Sequence, residues 1–237
     1  MNSDLSNIVC VVHSKSVRLG GSVSPAAARR RRARHSTVDA RGLTSATDDE
    51  TVVVVEYGSR RRLSLQEYLA GDETNQPVEL DFGVVRDSVA PSWSHQLIVG
   101  RLFVRLERHV SRHGLGRVAQ SPIDVVLDRE RALVVQPDLV FVATDRLGIC
   151  RDRVWGAPDL AVEVLSMGTA RHDATVKLSW FQRYGVRECW LVDPAEHQVT
   201  VVGFTEAERS LCVCGEDELV PSSVLPRLRL RVGDLFT

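Results

Sequence analysis

"GAPDLAVEVLSMGTARHDATVKLSWFQRYGVRECWLVDP", residues 156–194, reads as strand, helix, strand. In "PDLAVEVLS" (158–166), Leu160, Val162 and Val164 alternate with Asp159, Ala161, Glu163 and Leu165. Both faces are largely apolar, the pattern of a central strand covered on each side. "ARHDATVKLSWFQRYG" (170–185) follows as a helix closed by Gly185, and "ECWLVDP" as a strand ended by Pro194. Two residues in this stretch ask for more than a structural reading. Glu163 is a carboxylate inside an apolar run, and Lys177 shares with Lys15 the distinction of being lysine among 30 basic residues, the rest being arginine. An ammonium is a compact point charge with three donors, whereas guanidinium is a wide planar fork.

Outward from this unit the pattern stays mixed. "LSLQEYLAG" (63–71) reads as a short helix, and "PVELDFGVVRDSVAP" (77–91) as strand, turn, strand around Gly83. "SWSHQLIVGRLFVRLERHVSRHG" (92–114) places Leu97, Leu102, Leu106 and Val110 at helical spacing, between an N-cap at Ser92 or Ser94 and a C-cap at Gly114. "GRVAQSPIDVVLD" and "RALVVQPDLVFVA" read as two strands joined by a polar turn at 128–130, followed by a loop over 144–157. "QVTVVGF", "SLCVCG" and a partly apolar "LPRLRLRVGDLF" complete a strand-rich end. Helix, hairpin, strand, helix, strand predicts an α/β fold with a mixed sheet flanked by helices.

Composition bounds the class. With 43% hydrophobic and 26% charged residues the chain is an ordinary globular sequence, and no window is apolar enough for a membrane span. Five cysteines without regular spacing argue against a disulfide framework, and the absence of a recognisable signal peptide points to the cytoplasm. Cys212 and Cys214 share one strand face, short of the four ligands a zinc site needs. Residues 1–50 hold eight Lys/Arg against five Asp/Glu, including "RRRRAR", with no aromatic residue, and read as a disordered Arg/Ser/Ala-rich tail. Residues 51–237 form the expected folded domain, with 22 basic against 26 acidic residues. Nucleic-acid binding cannot therefore be argued from overall charge and must come from a site.

The polar residues within apolar runs suggest one. Asp138 lies among Val134, Val135, Leu139, Val140 and Phe141, and Glu163 lies in the central strand. Ionised carboxylates there are costly unless they meet a cation or a metal, and two on neighbouring strands repel. On the following helix Asp173 and Lys177 stand at i and i+4, and a strand-to-helix return lets Lys177 reach back over the strand. Two carboxylates and a lysine suit metal-assisted phosphodiester hydrolysis, with hard oxygen ligands holding Mg²⁺. Ion pairing of these carboxylates to arginine, with Lys177 an ordinary helix-surface cation, accounts for the same residues without catalysis.

"QPDLVFV", "GAPDLAVEVLS" and "RHDATVKLSWFQRYGVRECWLVDP" together resemble the Uma-type family of putative restriction endonucleases, a domain-of-unknown-function family in the PD-(D/E)XK nuclease superfamily. "VELDFGVV", "SHQLIVGRL" and "VLPRLRLRVGDLF" extend the likeness over about residues 60–237. The resemblance implies a restriction-endonuclease-like core with the active site at the edge of a central mixed sheet. It implies Asp138 and Glu163 as Mg²⁺ or Mn²⁺ ligands, with the Val164 carbonyl beside them, and DNA as substrate, with RNA also open. Position 165, where the superfamily usually has lysine, is Leu, so the resemblance assigns that role to Lys177. Glu79 and His95 match family positions near the site, and Ser166 and Asp173 are weaker candidates. A homodimer is among the assemblies the likeness allows. The competing expectation is a catalytically silent nuclease-fold protein that binds nucleic acid or serves an accessory role.

Overall fold

The computed structural model describes residues 61–71, 77–87, 90–166, 170–205 and 207–237, with the backbone alone for 170–174. The expected tail, residues 1–50, lies outside the described residues.

Local chemistry fixes the ends of the first elements. Ser64 caps helix α1 (Leu65–Leu69) through a capping box: its hydroxyl accepts the Glu67 N–H, and the Glu67 carboxylate accepts the Ser64 N–H. Strands β1 (Val78–Asp81) and β2 (Val84–Asp87) form a hairpin whose two turn residues, Phe82 and Gly83, both have positive φ, at 47° and 84°. That backbone fits the twist of the flanking strands, but it is natural for Gly and strained for Phe. Helix α2 (Trp93–His113) starts at Ser92, whose hydroxyl accepts the His95 N–H, and ends at Gly114 in the left-handed region. Its buried stripe is Ile98, Val99, Leu102, Leu106 and Val110. Leu97, expected in that stripe, is exposed, because the helix turns its apolar seam one residue further on.

The two long strands expected after α2 are four. Proline has no N–H to give a ladder, and a Pro interrupts each run. The first divides around Pro122 into β3 (Gly116–Gln120) and β4 (Val125–Asp128). The second divides around Pro137 into β5 (Leu133–Val135) and β6 (Leu139–Ala143). The halves part company, β3 pairing with β6 in one sheet and β4 with β5 in another. The expected loop at 144–157 contains a 3-10 turn (Thr144–Ile149) and a short strand, β7 (Val154–Trp155). Then come β8 (Leu160–Val164), α3 (Ala170–Tyr184), β9 (Glu188–Asp193), β10 (Gln198–Phe204) and β11 (Arg209–Cys214).

The five-stranded sheet runs β2-β1-β5-β4-β7 and the six-stranded sheet β11-β10-β9-β8-β6-β3. Both are mixed: β8 and β9, joined by α3, are parallel, as are β4 and β7. The strand-helix-strand reading of 156–194 thus places β8 centrally, between β6 and β9. Alternation along each strand sorts the core into layers. Leu160, Val162 and Val164 pack with α2, while Ala161 packs with Leu178 and Phe181 of α3 and with β4 and β5 of the other sheet. The far face of the five-stranded sheet is covered by residues near α1.

Gly116 is needed where β3 meets β6, since a Cβ there would lie 2.0 Å from the Val142 carbonyl oxygen. Gly116→Ala is expected to lower unfolding free energy by about 2–3 kcal/mol, read as a lower urea midpoint, because backbone cannot yield as a side chain does. An unchanged midpoint would show that the strands separate freely there.

Candidate functional site

The antiparallel register of β6 and β8 pairs Leu139 with Val162 and Val140 with Ala161. One step further, that register sets Asp138 opposite Glu163. Alternation puts both on the α3 side, with Val140 and Ala161. Like charges directly opposite on a sheet destabilise it, so this pairing has to be compensated.

Compensation comes from β8 itself and from helices α2 and α3. Asp138 Oδ2 accepts the Val164 N–H at 2.7 Å, and His95 Nε2, from the first turn of α2, lies 3.3 Å from the same oxygen. Lys177 Nζ, from α3, donates to Glu163 Oε1 at 3.0 Å and to Glu79 Oε1, from β1, at 2.8 Å. The residues expected from sequence, Asp138, Glu163, Lys177, Glu79 and His95, thus meet in one place. Each is largely buried, with side-chain exposures between 11% and 18%. The Val164 carbonyl is 3.1 Å from His95 Nε2. Ser166 is exposed at the end of the same segment, and the Asp173 side chain lies outside the described residues.

Glu163 and Glu79 share one lysine, while Asp138 is paired with His95, all in a half-dry site. Burial, and then the neighbouring Asp138 and Glu79 carboxylates, push the Glu163 carboxyl up to about 7 despite Lys177. Burial pulls the Lys177 ammonium the other way from its partners, but Glu163 and Glu79 prevail and hold it raised and charged. The hydrogen bond to Asp138 raises the His95 imidazole. His95 Nδ1 is buried with no hydrogen-bond partner among the described residues.

Sequence reading missed the residues that hold Glu79 in place. The Gln136 N–H donates to Glu79 Oε1 at 2.7 Å, and the Gln136 amide bridges the Val78 N–H and Asp124 Oδ1. Asp124 also accepts from the Tyr68 hydroxyl and from Arg153. Gln136 stands immediately before the "PD" pair, where the chain crosses from one sheet to the other. A polar residue at that break was the available signal.

The sequence contains "PD" twice, and the fold gives the two aspartates different work. Asp159 is fully buried at the other end of β8, where it accepts from the Ala143 N–H, Arg146 and Arg187. It is paired with arginine, whereas Asp138 and Glu163, for which arginine pairing was the alternative expectation, meet His95 and Lys177 instead.

Among the described residues no group of three or more His, Cys, Asp and Glu side chains is set to hold a metal ion. Mg²⁺ does not require one, since it keeps several waters and is usually held by one or two carboxylates. The Asp138 and Glu163 carboxylates and the Val164 carbonyl are hard oxygen donors of the kind such an ion takes.

Comparison with known proteins gives a family match and several solved structures. A family model described as "Uma2: Putative restriction endonuclease" matches residues 65–233. A crystal structure of "a putative nuclease belonging to DUF820" from Anabaena variabilis ATCC 29413 superposes with a TM-score of 0.63, at 23% identity, over 73% of this chain and 97% of that one. The likeness to that structure is one of fold. No curated protein matches.

Proposed function

Because the chain belongs to the Uma2 family of putative restriction endonucleases, we propose that it is a divalent-metal-dependent endonuclease hydrolysing phosphodiester bonds of DNA. The observation that carries this reading is the sharing of the Lys177 ammonium by Glu163 and Glu79, with Asp138 opposite Glu163 on the neighbouring strand. Asp138, Glu163 and the Val164 carbonyl would hold Mg²⁺ or Mn²⁺. When bound, the ion supplies a water of lowered pKa and a Lewis acid for a phosphoryl oxygen.

The chain's own groups set up the rest. Lys177 has three N–H donors, and two are engaged by Glu79 and Glu163. The third meets no acceptor among the described residues and can hold the attacking oxygen or the charge growing on phosphate. Glu79, fixed by the Gln136 N–H, keeps that ammonium from swinging away. His95, between Asp138 and the Val164 carbonyl, fixes the Asp138 carboxylate. The test is purified protein against supercoiled, linear and single-stranded DNA, and RNA, with and without Mg²⁺ or Mn²⁺. Metal-dependent nicking of DNA is expected; no cleavage of DNA with either ion sinks the proposal.

The electrostatics give a second test that needs no turnover. Glu163 titrates near 7 in the folded protein, above its ordinary value of 4.5. Its contribution to stability is therefore full below about pH 4.5 and is lost as pH rises through about 7. Metal binding requires the ionised carboxylate and relieves the repulsion, so 10 mM Mg²⁺ is expected to raise Tm more at pH 8 than at pH 5.5. At a hundred times Kd the gain is about 2.7 kcal/mol. Glu163→Gln should abolish most of this response, and a Tm indifferent to Mg²⁺ at pH 8 would count against the metal site.

A further inference from the structure

Beyond the site, the α3 side carries an arrangement that the hydrolytic chemistry does not use. Lys177, Trp180 and Tyr184 lie at i, i+3 and i+7 and share one face of α3. The β1–β2 turn runs beside them. Where Glu79 meets Lys177, Phe82 three residues on meets Trp180 edge to face, with ring centroids 5.9 Å apart. Arg131, in the β4–β5 turn, lays its guanidinium 4.6 Å over the Phe82 ring, and Arg183 lies 5.8 Å from the Tyr184 ring. Both arginines are exposed, and neither has an ion pair within 4 Å among the described residues. Both also act electrostatically on the Tyr184 hydroxyl, which places them about one spot.

Asp128, which accepts the Arg131 backbone N–H and the Tyr184 hydroxyl, and Glu130, exposed beside Arg131, lie close by, so the ledge offers two placed guanidinium groups and not a local excess of positive charge. A cation stacked on an aromatic face keeps its edge N–H groups pointing outward, in the fork that suits a phosphate. The Phe82 ring, partly buried against the core beneath α3, gives Arg131 a fixed seat.

We propose that this ledge, Arg131 and Arg183 on Phe82, Trp180 and Tyr184, carries the sugar-phosphate backbone of a duplex DNA substrate on its way to Lys177. The proposal rests on the nuclease reading for its direction, but the contact itself is one of binding. From Lys177 to Tyr184 the helix rises about 10 Å, close to three phosphate steps of about 3.4 Å along a duplex axis. In a domain whose overall charge is negative, a local track of this kind is how a polyanion can be held at the site.

The test measures binding of a fluorescent 30-base-pair DNA duplex to the full chain by anisotropy, without divalent ion, across a salt series. The pair Arg131→Ala and Arg183→Ala together should raise Kd at least about tenfold and reduce the salt slope by about 1.8, or 0.9 per phosphate contact. The control Arg112→Ala, on α2 across the six-stranded sheet, should bind as the native chain. Unchanged Kd and slope in the double variant overturn the proposal. So do an equal loss in the Arg112→Ala control, failure of the native chain to bind duplex DNA, and binding of an RNA hairpin alone. Cleavage is scored separately with Mg²⁺. Reduced binding by the double variant in a chain that never cleaves leaves the ledge standing and removes the nuclease reading. Cleavage that persists with unaltered binding removes the ledge alone.

Discussion

Lys177→Ala is expected to reduce metal-dependent cleavage of plasmid DNA by at least about 10²–10³-fold, the loss seen when a donor aimed at developing charge is removed. No other described cation can take its place. The arginines at the far end of β8, Arg146 and Arg187, are bound to Asp159, and Arg153 is bound to Asp124. Lys177→Arg should not restore activity, because a planar fork cannot sit between Glu79 and Glu163 and still present a third donor inward. The Ala variant should fold. Losing the ammonium leaves the carboxylates unopposed, but a group already titrating near 7 can take up a proton. Its Tm should therefore fall more at pH 8 than at pH 6. Full cleavage by Lys177→Ala would end the catalytic assignment.

Asp159→Ala is expected to cost about 1–3 kcal/mol of stability, because the buried Ala143 N–H is left without an acceptor while Arg146 and Arg187, partly exposed, can turn to water. Two arginines and the Ala143 N–H lose their acceptor at once. The effect has a pH signature. Burial alone would raise this carboxyl, but the Ala143 N–H and the arginines outweigh it and hold the pKa below its ordinary 3.8. Its contribution is thus present above about pH 3.8 and lost as pH falls through the depressed value. Urea titrations should show the gap between native chain and variant narrowing in acid. A variant as stable as the native protein at pH 7 would mean that the pairing does not offset the cost of burying the charge.

The central strand, its flanking helix and the polar cluster beside them were legible for one reason: charges inside apolar runs have few physical excuses. Asp138, Glu163 and Lys177 could be paired from burial and composition, and resemblance added Glu79 and His95. What could not be read was the effect of Pro122 and Pro137. Each looks like a pause inside a strand, yet each ends the ladder and sends the chain to the other sheet. Without that crossing, Gln136 has no visible role, and Asp159 looks as eligible as Asp138. Leu97 shows a smaller limit of the same kind, since helical spacing alone does not say which neighbouring residue faces inward.

That crossing also has a meaning in time. Glu79 belongs to one sheet, Asp138 and Glu163 to the other, Lys177 to a helix between, and Gln136 joins them at the crossing. No short stretch of chain holds the set: Glu163 and Lys177 are 14 residues apart, but Glu79 meets Gln136 only across 57, a non-local contact of the kind that slows folding. A polypeptide still being synthesised, or one whose two sheets have not yet met, has the ingredients scattered and harmless. A potentially destructive activity would then be withheld by topology until the domain is finished, with no inhibitor required.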